Sequence, residues 1–190
     1  MNGEWTRAWR HARRILCVRL DSLGDVLMCT PAFRALRDSL PGCRLTLLTS
    51  PSGAAAAKHV PELDDVVTLK APWMKHEEFL HESVVQACLA DLTARRFDAA
   101  VIFTSWSQSP LPAAMLCHLA GIPLRLASCR ENPYQLLSHW VAEPEREGAT
   151  RHEVQRQLDL VAQIGCRTAD TAPSFAVPDA SERLVHSLLT

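Results

Sequence analysis

Lysine is scarce in this chain of 190 residues. Only Lys58, Lys70 and Lys75 occur, so the basic side chains are almost all arginine. Lys+Arg number 20 against 21 for Asp+Glu, which leaves a net charge of −1 and no global basic field to draw the protein to nucleic acid. No C-x-x-C pair is present. The seven cysteines (Cys17, Cys29, Cys43, Cys88, Cys117, Cys129, Cys166) are scattered and odd in number. That pattern argues against a disulfide framework and against a zinc site, and it points to a reducing, cytoplasmic compartment. No run approaches the roughly 20 apolar residues that cross a bilayer. Arg7, Arg10, Arg13 and Arg14 have no apolar stretch behind them that would make a secretory signal. Neither G-x-G-x-x-G nor a G-K-[ST] ending occurs, which disfavours nicotinamide binding and P-loop hydrolysis. Internal repeats and low-complexity tracts are absent as well.

What is present is ordinary globular material: 47% hydrophobic and 22% charged residues, enough for one domain with its own core and some spare chain. Short apolar runs alternate with helical ones. Residues 14–20, 44–49, 66–69, 99–103 and 124–127 read as strands. Residues 25–40, 76–96, 111–120, 151–164 and 181–189 read as helices, with a short Ala-rich helix after the Ser50–Gly53 loop. The strand runs are apolar throughout instead of alternating, as expected when helices cover both faces of a parallel sheet. The expected fold is therefore α/β: a Rossmann-like, doubly wound parallel sheet. Residues 1–13 read as a flexible Arg-rich tail, 14–165 as the domain, and 166–190 as a connector leading into the start of something further. The segment 133–147 mixes Pro, Glu and aromatics and shows no clear element.

In an open parallel sheet, ligands bind beyond the carboxyl ends of the strands. The first such loop, Asp21-Ser22-Leu23-Gly24-Asp25, carries a hydroxyl, two carboxylates and a glycine suited to close backbone approach or positive φ. Asp25 admits two readings. It is an N-cap whose charge the helix dipole favours, or a general base presented to the cleft. The dipole weakens such a base, which must then gain from positioning. Asp21 reads as a cap of the turn. Trp106, after the fourth strand with Ser105 and Gln108, suits stacking on a sugar ring or covering the sheet end. Trp73 and Trp140 lie in loop-like segments that suit lids. His152 opens a helix and reads as a cap or surface residue. Arg146, Arg151 and Arg156 read as a solvated face, and His59, His76, His81 and His118 have no metal-ligand spacing.

The stretch R-L-D-S-L-G-D-V-L-M-C-T-P (residues 19–31), followed by F-R-A-L-R (33–37) and Pro41, resembles the N-terminus of glycosyltransferase family 9, the ADP-heptose:lipopolysaccharide heptosyltransferases and their relatives. The likeness continues through residues 45–49, 97–102, 120–127, Arg130-Glu131-Asn132-Pro133, His152-Glu153 and 158–165, so it spans roughly residues 14–178. It implies a GT-B architecture of two Rossmann-like domains, with this chain as the N-terminal, acceptor-binding half. It also implies inverting transfer of heptose or a related sugar from a nucleotide sugar to a lipopolysaccharide-core or similar glycan. The base then falls on Asp25. Acceptor contacts fall on Arg130, Ser22 and Gly24, with Trp106 and His152 at the same cleft. Arginine suits the carboxylates and phosphates of such acceptors. No metal and no resident cofactor are implied, and ADP-heptose or a similar nucleotide sugar is a co-substrate. The family's glycine-rich donor segment has no counterpart before Thr190. A donor-domain chain, or self-association through an exposed apolar side, is therefore an expected partnership, as is at most peripheral contact of the Arg-rich tail with an anionic membrane. The alternative is a non-catalytic, truncated α/β binding module that keeps the acceptor cleft, or a subunit that needs another chain for donor binding.

Overall fold

The computed structural model describes residues 3–75, 81–143, 152–177 and 179–189. Strands β1 (Arg14–Arg19), β2 (Arg44–Thr49), β3 (Asp65–Thr68), β4 (Ala99–Ile102), β5 (Leu124–Cys129) and β6 (His139–Ala142) form one sheet in the order β3-β2-β1-β4-β5-β6. All neighbouring strands run parallel. The helices are α1 (Gly3–Trp9), α2 (Leu23–Ser39), α3 (Pro51–Ala57), α4 (Ser83–Arg95), α5 (Leu111–Leu119), α6 (Glu153–Ala162) and α7 (Asp179–Leu189). This is the doubly wound Rossmann-like sheet that the alternating runs imply.

Burial on both faces explains why the strand sequences carry no polar alternation. Ile15, Cys17, Leu45 and Leu47 enter one core beneath α2 and α6, while Leu16, Val18, Leu48 and Ile102 enter the other beneath α4 and α5. The strand order reverses at β1 and β4. The loop after β1 therefore leads to α2 on one face and the loop after β4 to α5 on the other, which opens a crevice between them.

Several local expectations are corrected. Residues 3–9 are not a loose tail. They form α1, because Trp9 is fully buried and the rings of Trp5 and Trp9 meet His139 edge-on at 5.0 and 5.8 Å. Gly165 lies against this helix: at φ +84°, a Cβ on it would stand 2.9 Å from Thr6 Cγ2. A sixth strand, His139–Ala142, comes from the segment that reads as irregular. It is short and sits at the sheet edge, where Trp140 Nε1–H donates to the Cys129 carbonyl at 2.8 Å, so Trp140 is no loop lid. Helix α2 begins at Leu23, two residues before the expected start, because Ser22 rather than Asp25 is the N-cap. The first part of the predicted helix 76–96 and the residues Arg146 and Arg151 lie outside the described residues.

The connector after Gly165 is extended yet tied down. Ser174 Oγ–H lies 2.7–2.8 Å from both Glu62 carboxylate oxygens, the Ala176 N–H donates to the His59 carbonyl at 2.7 Å, and Arg34 donates to the carbonyls of Asp170 and Ala172 at 2.9 Å. No helix among the described residues is long and apolar enough to cross a membrane.

Candidate active site

The crevice end of β1 is organised by Arg19, the last residue of the strand, whose side chain is fully buried. Each nitrogen of its guanidinium faces a different carboxylate. Nε lies 2.8 Å from Asp21 Oδ2, Nη2 donates to Asp25 Oδ1 at 2.9 Å, and Nη1 donates to Glu153 Oε1 at 3.2 Å. The Asp21 contact is an ion pair without a well-aligned hydrogen bond, since Nε–H finds no geometrically satisfactory acceptor. Burial works against the guanidinium's charge, but Cys29 and the three carboxylates outweigh it and raise the proton affinity of Arg19.

Asp25 sits in the first turn of α2, where its side chain reaches back to the N-cap. Its Oδ2 accepts the Ser22 backbone N–H at 3.1 Å and the Ser22 hydroxyl at 2.6 Å. This is the Asp25 side of a capping box, so Asp25 caps the helix from its third position and is not the N-cap expected of it. About a third of the side chain, 34%, remains open to solvent. Burial pushes its carboxyl up, yet the Ser22 hydrogen bonds and the Arg19 charge prevail and hold it below the usual aspartate value.

Asp21 is not simply a turn cap. Besides its contact with Arg19, its Oδ1 accepts from the Gln108 side-chain amide across the crevice, and its backbone carbonyl accepts the Ser50 hydroxyl at 2.5 Å. Beside it opens a groove of about 630 Å³, lined among others by Asp21, Ser22, Ser50, Lys70, Trp73 and Lys75. Trp73 thus borders the groove, as a lid position would require.

The six expected site residues fall into separate groups. Ser22 and Asp25 touch directly. Gly24 is exposed and has no positive φ, and a Cβ on it would meet only Ser22 Oγ at 3.9 Å, so neither backbone conformation nor packing within the chain requires a glycine there. Trp106 and Arg130 form a second group, with the exposed guanidinium of Arg130 stacked 4.5 Å from the indole centroid. Next to that pair, Ser109 Oγ–H donates to Glu131 at 2.7 Å. His152 is the N-cap of α6, its Nδ1 accepting the Val154 N–H at 3.3 Å, which is the capping role its place at the helix start suggests. Its neighbour Glu153, not singled out in the sequence as a site residue, is the one that reaches Arg19. Arg156 is also a correction, being buried instead of solvated. It holds Glu143 through two bonds of 2.6 and 2.8 Å and donates to the Thr104 carbonyl. A helical i, i+3 spacing from Glu153 was the available signal, but a lone arginine on an amphipathic helix reads as surface.

No protein-family model matches the chain. It is 28% identical over 148 residues to a candidate glycosyltransferase of Haemophilus influenzae, an alignment covering 78% of this chain and 39% of that protein. Among solved structures, a family 9 glycosyl transferase from Veillonella parvula superposes with a TM-score of 0.71 at 18% identity, covering 94% of this chain and 50% of that one. The fold is that of the family 9 glycosyltransferases. Escherichia coli ADP-heptose LPS heptosyltransferase II follows with a TM-score of 0.67 at 18% identity, covering 93% of this chain and 50% of that one. E. coli heptosyltransferase WaaC, solved with ADP, gives 0.58 at 18% identity, covering 85% and 50%. The chain therefore spans about half the length of these structures and less of the Haemophilus relative, and has the fold of one Rossmann-like half of a GT-B, heptosyltransferase-like protein.

Proposed function

We propose that this chain is the acceptor-binding half of an inverting glycosyltransferase. Asp25 is the general base, and the donor is a nucleotide sugar of the ADP-heptose kind. The observation that carries the reading is the partly open carboxylate of Asp25, held by Arg19 and by Ser22, which itself lines the groove. Each carboxylate oxygen offers about two acceptor sites. Oδ2 is filled by the two Ser22 donors, whereas Oδ1 has one contact, to Arg19, and one site left. The acceptor hydroxyl would give its proton to Oδ1 as its oxygen attacks the anomeric carbon and the nucleotide departs with the bonding pair. Arg19 and Ser22 lower the basicity of this carboxylate, so its contribution comes from rigid placement.

A lipopolysaccharide-core or related anionic glycan fits the surroundings. Lys70 and Lys75 line the groove, Trp73 offers it an aromatic face, and Arg130 with Trp106 presents a second cationic and aromatic pair after β4 and β5. The reading assigns the acceptor side to this chain and the nucleotide sugar to a second domain or chain. It places the protein in the cytoplasm, touching a membrane at most peripherally, with no nucleic acid and no metal.

A second reading, glycan binding without turnover, is favoured by one fact: Asp25 is already satisfied as a capping-box residue. The deciding measurement is nucleotide release from ADP-heptose by this chain together with the donor-binding domain or chain, with and without a lipopolysaccharide acceptor. The first reading expects acceptor-dependent release that Asp25→Asn abolishes while acceptor binding persists. Binding without any release supports the second reading, and release unaffected by Asp25→Asn refutes the first.

A further inference from the structure

One guanidinium serves three carboxylates at the crevice, and they come from three elements: Asp21 from the β1–α2 loop, Asp25 from α2 and Glu153 from α6. Glu153 is the one with a second cation behind it, since Arg156 Nη1 lies 3.5 Å from the same Oε1 that faces Arg19. That oxygen also accepts the Gln157 amide at 2.5 Å, and Gln157 is anchored in turn on the Thr104 carbonyl at 3.1 Å. Glu153 is thus tied to a different terminal nitrogen of Arg19 from the one that holds Asp25, and it competes with Asp25 for a single charge.

We propose that Glu153 is a positioning residue for Asp25. By taking a share of Arg19, it sets how firmly that guanidinium holds the Asp25 carboxylate, and so how readily the carboxylate accepts a proton. The inference rests on Asp25 being the base. The ionisable groups facing Asp25 are Arg19 from β1, Asp21 from the loop, Cys29 one turn along α2, and Glu153 from α6 with Arg156 and Glu143 beyond it. Burial pushes the Cys29 thiol up to about 12, so it is neutral at working pH.

The sign follows from charge alone. Neutralising Glu153 removes a negative neighbour and leaves Arg19 freer to bind Asp25, so Asp25 becomes more acidic and a poorer base. The test is a carbon-13 NMR titration of the Asp25 carboxyl in the full chain, assigned with Asp25→Asn, for the native protein, Glu153→Gln and Glu153→Asp. The Gln variant keeps the shape and its contacts, so the fold should survive, as checked by circular dichroism. Its Asp25 midpoint should fall by about half a pH unit or more. The Asp variant should return toward the native value, a rescue that a merely structural role does not produce. Where transfer is measured, kcat should drop in Glu153→Gln with KM unchanged. An unmoved midpoint in a folded Glu153→Gln protein overturns the proposal. Transfer that persists in Asp25→Asn overturns the base reading while leaving the titration result intact, so the two failures are distinguishable.

Discussion

Replacing Arg19 by Met is the most informative perturbation of stability. Methionine fills similar volume in a site with no exposed surface, but it strands Asp21, Asp25 and Glu153 around an uncharged stem. Removing one partner of a buried ion pair typically costs about 3–5 kcal/mol, because the remaining charge is left uncompensated. The carboxylates here keep 11%, 34% and 27% of their side-chain surface open to water, which argues for the lower end of that range. For a chain of this size each kcal/mol moves Tm by roughly 2–4 °C, so a drop of about 6–12 °C is expected at pH 7.

The deficit should also depend on pH. In the native protein the Asp25 pKa lies below its unfolded value, so its contribution is present above that unfolded value and fades as pH falls through the folded one. In the variant the clustered carboxylates repel one another, which raises their folded values, and protonation relieves the strain. The gap between the two proteins should therefore narrow as pH falls toward about 4, near the ordinary carboxyl range. Urea unfolding at pH 7 and in mild acid measures both effects. A loss below about 1 kcal/mol at pH 7, or a gap that stays constant into acid, would refute the shared-charge account.

Two further predictions concern packing. Gly53→Ala should destabilise, although Ala ordinarily gains about 1 kcal/mol over Gly in a helix: its Cβ would stand 2.0 Å from Thr49 Oγ1 and 2.9 Å from Val26 Cγ2. The net cost should be about 1–3 kcal/mol, seen in the urea midpoint and recovered only in part in the double variant with Thr49→Ala, since the Val26 contact remains. Trp9→Ala should cost about 3–5 kcal/mol and release α1, read as proteolytic cleavage near residue 10. Burial, aided by the Arg125 charge and opposed by Glu4, holds the His139 pKa below its usual value. Its contribution is thus full above about 6.5 and lost as pH falls, so tryptophan fluorescence should report α1 loosening on acidification, and His139→Phe should flatten that response.

The central sheet was legible because its information is local. Five apolar runs between turn residues name β1 to β5, and their lack of alternation reveals the helical layers on both sides. Elements whose reason is tertiary were not legible. Residues 3–9 open a stretch that carries Arg7, Arg10, Arg13 and Arg14, and they form α1 only because Trp5 and Trp9 find His139 on the sheet edge, more than a hundred residues away in the chain. Strand β6 exists because β5 offers an unpaired edge, which its own four residues do not announce. At the site, the Ser22–Asp25 pair is a three-residue spacing and could be read directly. The Arg19–Glu153 contact joins positions 134 apart, and Arg156 hides its burial behind an amphipathic pattern shared with exposed helices.

All seven thiols lie inside the protein, on both sides of the sheet and in the turns that close it. A water-borne alkylating reagent therefore meets none of them while the chain is closed. Each becomes a silent clock, started only when its own layer breathes. Cys88, Cys117 and Cys129 time one face, and Cys17, Cys29, Cys43 and Cys166 the other, so the order in which they are labelled would show which side of the molecule yields first.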